Sequence, residues 1–144
     1  MSMLGQLLLG TLLIAITVAI HGAVMGWLLW RLQQAANKPV TLWRAYAVLT
    51  QIAIWSVVAH LVEIAVWAIA YLWAEVHPGF ELALYFSAVT YATIGYGDVV
   101  PPADWRLLSA MEGLVGILMC AWSGGFIFAV VSRLYQGAAA HRQA

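Results

Sequence analysis

Three stretches of this chain are long and apolar enough to cross a lipid bilayer, and no other feature constrains its fold as strongly. Leu4 to Trp30 carries no formal charge, Ala45 to Ala74 is broken only by Glu63, and Leu107 to Ser132 only by Glu112. A spanning helix needs about 20 such residues to cross a hydrocarbon core of roughly 30 Å, so each run can span with some tilt. The whole composition agrees: 65% of the 144 residues are apolar and 8% charged. A soluble domain is roughly half apolar and about a quarter charged. A water-soluble enzyme is therefore excluded, and the length allows one domain. The formal net charge is zero, which gives no pull toward nucleic acid or an acidic substrate. Cys120 is the single cysteine, so an intrachain disulfide and any multi-cysteine metal site are excluded too.

The basic residues orient the spans. Arg31, Lys38 and Arg44 lie in the first connection and Arg133 and Arg142 follow the third run, whereas the opposite face holds only Arg106. The positive-inside rule then predicts a multi-pass cell-membrane protein with its N-terminus outside and its C-terminus in the cytoplasm. Trp27, Trp30 and Trp43 fall at the expected inner boundary, and Trp73 and Trp105 at the outer one. The first run lacks a basic leader and is too long for a signal-peptide core, so it is expected to be retained. No helix repeats arginine at every third position, as a voltage sensor would.

Between the second and third runs the character changes. Leu82 to Ala92 is apolar but, at about 11 residues, too short to cross. Thr93-Ile94-Gly95-Tyr96-Gly97-Asp98 follows, and then Pro101-Pro102. This pattern predicts a re-entrant half-helix and an extended return, tolerated at membrane depth only where protein or water covers it. Stripping water from a potassium ion requires replacement oxygens, and consecutive backbone carbonyls point one way only if the backbone alternates in handedness. Gly95 and Gly97 permit that, since glycine reaches positive φ without steric cost. Thr93 can add its hydroxyl, and Tyr96 is expected to point away from the ion path and brace it. The carbonyl end of the half-helix favours a cation, Glu81 suits its other end, and Asp98 at the outer mouth would concentrate cations.

The stretch from Leu84-Tyr85-Phe86-Ser87 to Asp98, set between two spanning helices, resembles the pore of potassium channels, most nearly the bacterial two-helix and two-pore-domain types. The resemblance covers roughly residues 45–136. It implies an all-α membrane protein of three transmembrane helices plus a re-entrant pore helix and selectivity filter, assembled as a fourfold homotetramer. Residues 1–36 would be an extra N-terminal transmembrane helix and 37–144 the pore domain. Within it fall an outer helix at about 41–74, a pore helix at about 82–92, the filter at 93–98 and an inner helix at about 105–136. The carbonyls of Thr93, Ile94, Gly95 and Tyr96, with the Thr93 hydroxyl, would hold K+, and Gly97 completes the filter. Three departures stand out. Ala92 replaces a frequent second threonine, Val89 stands where some members bury a glutamate, and the first helix is additional. Tyr85 matches a position where many members carry an aromatic donor, so it is expected to hydrogen-bond Asp98.

Several residues lie outside that motif. His60 and Glu63, three apart, share a helix face. Intramembrane ionisable residues are costly and default to functional candidates. The pair reads as a proton- or metal-sensitive coupling or, preferred, as a neutral hydrogen-bonded pair facing protein. Glu112 is read as a protonated support for the pore helix, with a water-facing ionised carboxylate as the alternative. Haem ligation by His21 and His60 is disfavoured, because counting rise from the helix ends separates them by about 9 Å in depth. Gly22-Ala-Val-Met-Gly26 has the spacing of a close helix contact. Gly116, or Ser123-Gly124-Gly125, is a candidate gating hinge, close packing being the plainer reading for these and for Gly113. Phe126 and Phe128 are candidates for an apolar constriction, and Cys120 reads as a small apolar residue. His141 and Arg142 read as a solvated tail.

The expected function is passive, selective conduction of K+, with the bilayer and further copies of the chain as partners and no cofactor beyond the ion. Two alternatives are a potassium-uptake transporter subunit, which the lone repeat and full Gly-Tyr-Gly argue against, and a non-conducting or modulatory subunit of a larger channel. No catalytic constellation is present in the sequence.

Overall fold

The computed structural model describes residues 1–34 and 41–143, and the side chains of these as far as Leu134, together with that of Gln136. The boundary expected near residue 36, Lys38, and the side chains of His141 and Arg142 lie outside that set. Four α-helices account for nearly all of it: α1 (Met3–Gln34), α2 (Leu42–Trp73), α3 (Phe80–Tyr91) and α4 (Arg106–Gln143), the last entered through a 3₁₀ turn at Ala103–Trp105. Three of them are long and apolar enough to cross a membrane. The protein is thus an all-helical, multi-pass membrane protein.

Local chemistry sets the boundaries. Thr41 caps α2, its hydroxyl accepting the Arg44 amide at 3.4 Å. The chain leaves α2 through Glu75 at φ 54° and enters α3 through Gly79 at φ 89°, a left-handed position that suits glycine. The short helix starts at Phe80 and ends at Tyr91, slightly earlier than the expected 82–92. Pro101 and Pro102 then lead the chain into the 3₁₀ turn that precedes α4, and Gln6 of α1 reaches across to accept the Leu108 amide at 3.3 Å. That amide lies in the first turn of α4, where no intrahelical acceptor exists.

The helix α1 packs on α2 and α4 of its own chain. Its buried face, Gln6, Gly10, Leu13, Thr17, His21, Met25 and Leu28, recurs every three or four residues as a helical stripe must. The small-residue spacing at Gly22 and Gly26 does not mark the tightest contact. A Cβ on Gly22 would sit 3.5 Å from Trp122, and nothing among the described residues lies within 4 Å of Gly26 on its Cβ side. The close approach is at Gly10, where a Cβ would sit 2.5 Å from the Met111 sulfur.

The apolar core has two parts. The larger joins Trp67, Tyr71, Ala83, Phe86, Tyr91, Leu108 and Val115 around α3, and the smaller joins Met25, Leu28, Ile52 and Val130 on the other side of the polar layer. Only 22%, 39% and 22% of the most apolar windows of the three spans are buried within one chain. The remaining apolar area is available to lipid or to other chains.

Candidate functional site

The segment that follows α3 is held by that helix's own end. Ile94 donates to the Val89 carbonyl at 2.9 Å and Thr93 to the Thr90 carbonyl at 3.0 Å. These are the two crossed bonds of a Schellman cap, which requires a left-handed residue at the position Thr93 occupies. Thr93 has φ 57°. A β-branched residue is an outlier there and costs about 1–3 kcal/mol unless its surroundings hold it. Gly95 at φ 57° and Gly97 at φ 80° continue the pattern, so every second residue from 93 to 97 has positive φ. The expectation of alternating handedness at the glycines extends one residue further than the composition suggests, because the helix cap imposes it. Ile94 and Tyr96 are 51% and 70% exposed on the single chain. Within one chain Tyr96 is therefore not packed behind the segment.

Beyond it, Tyr85 donates to Asp98 at 2.6 Å, and Asp98 also accepts the Val99 amide at 3.0 Å. The Tyr85 hydroxyl, followed by backbone amides, holds the Asp98 carboxyl below its ordinary range. The same bond pushes the Tyr85 phenol up.

Behind α3 sits Glu112, fully buried. It contacts Ser87 of α3 at 2.5 Å and accepts from Tyr71 of α2 at 2.7 Å. Ser87 also lies 2.9 Å from the Ile64 carbonyl. Glu112 thereby ties α2, α3 and α4 together.

Glu63 stands at the centre of a second polar layer. Its carboxylate meets His21 Nδ1 at 2.9 Å and accepts from the Tyr91 hydroxyl, which also lies 3.1 Å from His60 Nδ1. Ser123 of α4 bridges the far nitrogens, 3.1 Å from His21 Nε2 and 3.2 Å from His60 Nε2. His60 and Glu63 do share a face, but His21 joins them, its ring centroid 5.1 Å from that of His60. This corrects the separation of about 9 Å in depth. Thr17 pairs with Trp67 and His21 with Glu63, so α1 starts roughly 12 Å beyond the end of α2. Counting from helix ends assumes that the ends are level, and they are not.

The hinge candidates separate. A Cβ on Gly116 would sit 2.1 Å from the Tyr91 carbonyl oxygen, whereas Gly124 and Gly125 have nothing among the described residues within 4 Å on that side. Gly116 therefore admits the end of α3 against α4. A Cβ on Gly113 would lie 3.5 Å from the Thr90 oxygen, an ordinary contact. Phe126 packs into the smaller core cluster, Phe128 is 72% exposed, and the Cys120 thiol is exposed.

The profile of a family described as ion channel matches residues 48–133. The chain belongs to this ion-channel family. No curated protein and no solved structure matches it. The ion-channel domain runs from α2 through α3 and the capped segment into α4, and α1 lies outside it. Family membership implies ion passage across a membrane.

Sequence reasoning missed Ser87, Tyr71 and Tyr91 as partners of the two buried acids, and took Ser123 only as part of a hinge. The available signal was the four-residue spacing of Ser87 and Tyr91, which puts two hydroxyls on one side of a short helix.

Proposed function

We propose that the chain forms a potassium-selective channel in which four identical copies surround one axis and conduct K+ passively. The observation that carries this reading is the alternation of positive φ at Thr93, Gly95 and Gly97 in a segment exposed on the single chain. Backbone at membrane depth must be covered by protein or line water, and a closed ring of copies does both. In it, the carbonyls of Thr93, Ile94, Gly95 and Tyr96, with the Thr93 hydroxyl, replace the ion's water. Gly97 completes the turn outward, Tyr96 braces against a neighbouring copy, and the Asp98 carboxylates form the outer ring. The remaining exposed face of the spans meets lipid and adjacent copies. The termini lie outside (N) and in the cytoplasm (C), and α1 is an addition to a two-helix pore domain.

The test is flux from liposomes containing only this chain, under matched potassium and sodium gradients. Potassium flux well above sodium, abolished by Gly95→Asp, supports the reading. Equal flux of the two ions refutes selectivity. A silent protein that is not tetrameric by mass points instead to a modulatory subunit.

A further inference from the structure

The polar layer around Glu63 joins all four helices, and its contacts form a closed ring: Glu63 to Tyr91, Tyr91 to His60, His60 to Ser123, Ser123 to His21, and His21 back to Glu63.

The same geometry turns both Nδ1 atoms toward one carboxylate. His21 Nδ1 is 2.9 Å from Glu63 Oε1 and His60 Nδ1 is 3.6 Å from Glu63 Oε2. One ligand atom from each of the three residues lies within 4.8 Å of the others. We propose that His21, His60 and Glu63 form a binding site for a first-row divalent cation of the zinc class, with Ser123 and Tyr91 as its outer shell. Two imidazoles and one carboxylate are a recurrent three-ligand set for zinc. Tetrahedral bonds of about 2.0–2.1 Å place ligand atoms roughly 3.3 Å apart. The two contacts to Glu63, made through different carboxylate oxygens, lie at 2.9 and 3.6 Å. With all three ligand atoms within 4.8 Å of one another, no pair has to close by more than about 1.5 Å, within reach of a rotation of His60, whose side chain is 17% exposed and offers the way in.

The outer shell is also suited to the ion. A metal-bound imidazole generally donates its other N–H to a fixed acceptor. The Ser123 oxygen has two lone pairs and lies within hydrogen-bond reach of both Nε2 atoms. In the metal-bound form both imidazoles donate to it, and its own proton turns to the backbone carbonyl one turn back, a common partner of helical serine. Tyr91 keeps its bond to Glu63. The site rests on side-chain geometry and does not depend on whether the assembly selects potassium.

The experiment is calorimetric titration of the untagged, full-length protein in detergent with zinc chloride at neutral pH. Cobalt(II) chloride in a parallel titration provides a visible spectrum. The expected result is one zinc per chain and the d–d bands of tetrahedral cobalt. His60→Gln and Glu63→Gln should each weaken binding roughly tenfold or more, while His77→Gln and Cys120→Ala leave it unchanged. His60→Gln carries the test if Glu63→Gln fails to fold. No stoichiometric binding to the native protein, or equal affinity in His60→Gln, overturns the proposal.

Discussion

Replacing Gly116 with alanine tests how the end of α3 is held. The new Cβ would stand 2.1 Å from the Tyr91 carbonyl oxygen and 2.9 Å from its carbonyl carbon. Ordinary carbon contacts begin near 3.5 Å, so α4 and the end of α3 must part by about 1.4 Å. Both obstructing atoms are backbone and cannot rotate aside. Overpacking of a filled interior costs about 1–3 kcal/mol, and here the displaced atoms lie two residues before Thr93, whose left-handed conformation depends on the cap at that end. Gly116→Ala should therefore lower the thermal midpoint of the detergent-purified assembly and lower the ratio of potassium to sodium flux in liposomes. Gly113→Ala, whose Cβ would lie 3.5 Å from the Thr90 oxygen, is the control and should leave both unchanged. A Gly116→Ala protein that is as stable and as discriminating as the native one would refute the argument.

Three further outcomes follow from the buried and outer polar groups. Glu112→Gln should be tolerated, because an amide can both donate to Ser87 and accept from Tyr71. Glu112→Ala should cost roughly 1–3 kcal/mol for each buried partner left unpaired, read as loss of thermal stability, and equal damage by Gln and Ala would show that the carboxyl is ionised. Tyr85→Phe removes the bond that holds Asp98 low, so the acid midpoint at which cation conductance falls should move to higher pH. An unmoved or lowered midpoint would contradict that assignment. His77 is buried against Phe86 and Tyr71, its Nε2 has no hydrogen-bond partner among the described residues, and burial holds its pKa down. A lowered native pKa means that the unfolded chain binds more protons below about pH 6.5, so stability falls as pH drops through that range. His77→Phe should flatten the fall seen by thermal melts between pH 5 and 7, and a slope unchanged from the native protein would count against it.

The sequence by itself determined what depends on one-dimensional pattern. Three uncharged or singly charged apolar runs dictate spanning helices, because a bilayer offers no partner for open backbone. The shortness of Leu82–Ala92 and the glycines at 95 and 97 mark a half-helix followed by a backbone of alternating handedness. Tyr85 and Asp98 could be paired from their positions in a resembling motif. Tertiary structure decided the rest, since it depends on how far one helix slides past another. The rise per residue is known but the offset is not, and a slide of α1 by roughly 12 Å is what brings His21 level with Glu63. That same register puts Ser123 between two imidazoles and Gly116 against the Tyr91 carbonyl. Buried acids must find donors, so Glu63 and Glu112 were certain to have partners. Which hydroxyls those are became a matter of packing between helices that are far apart in the chain.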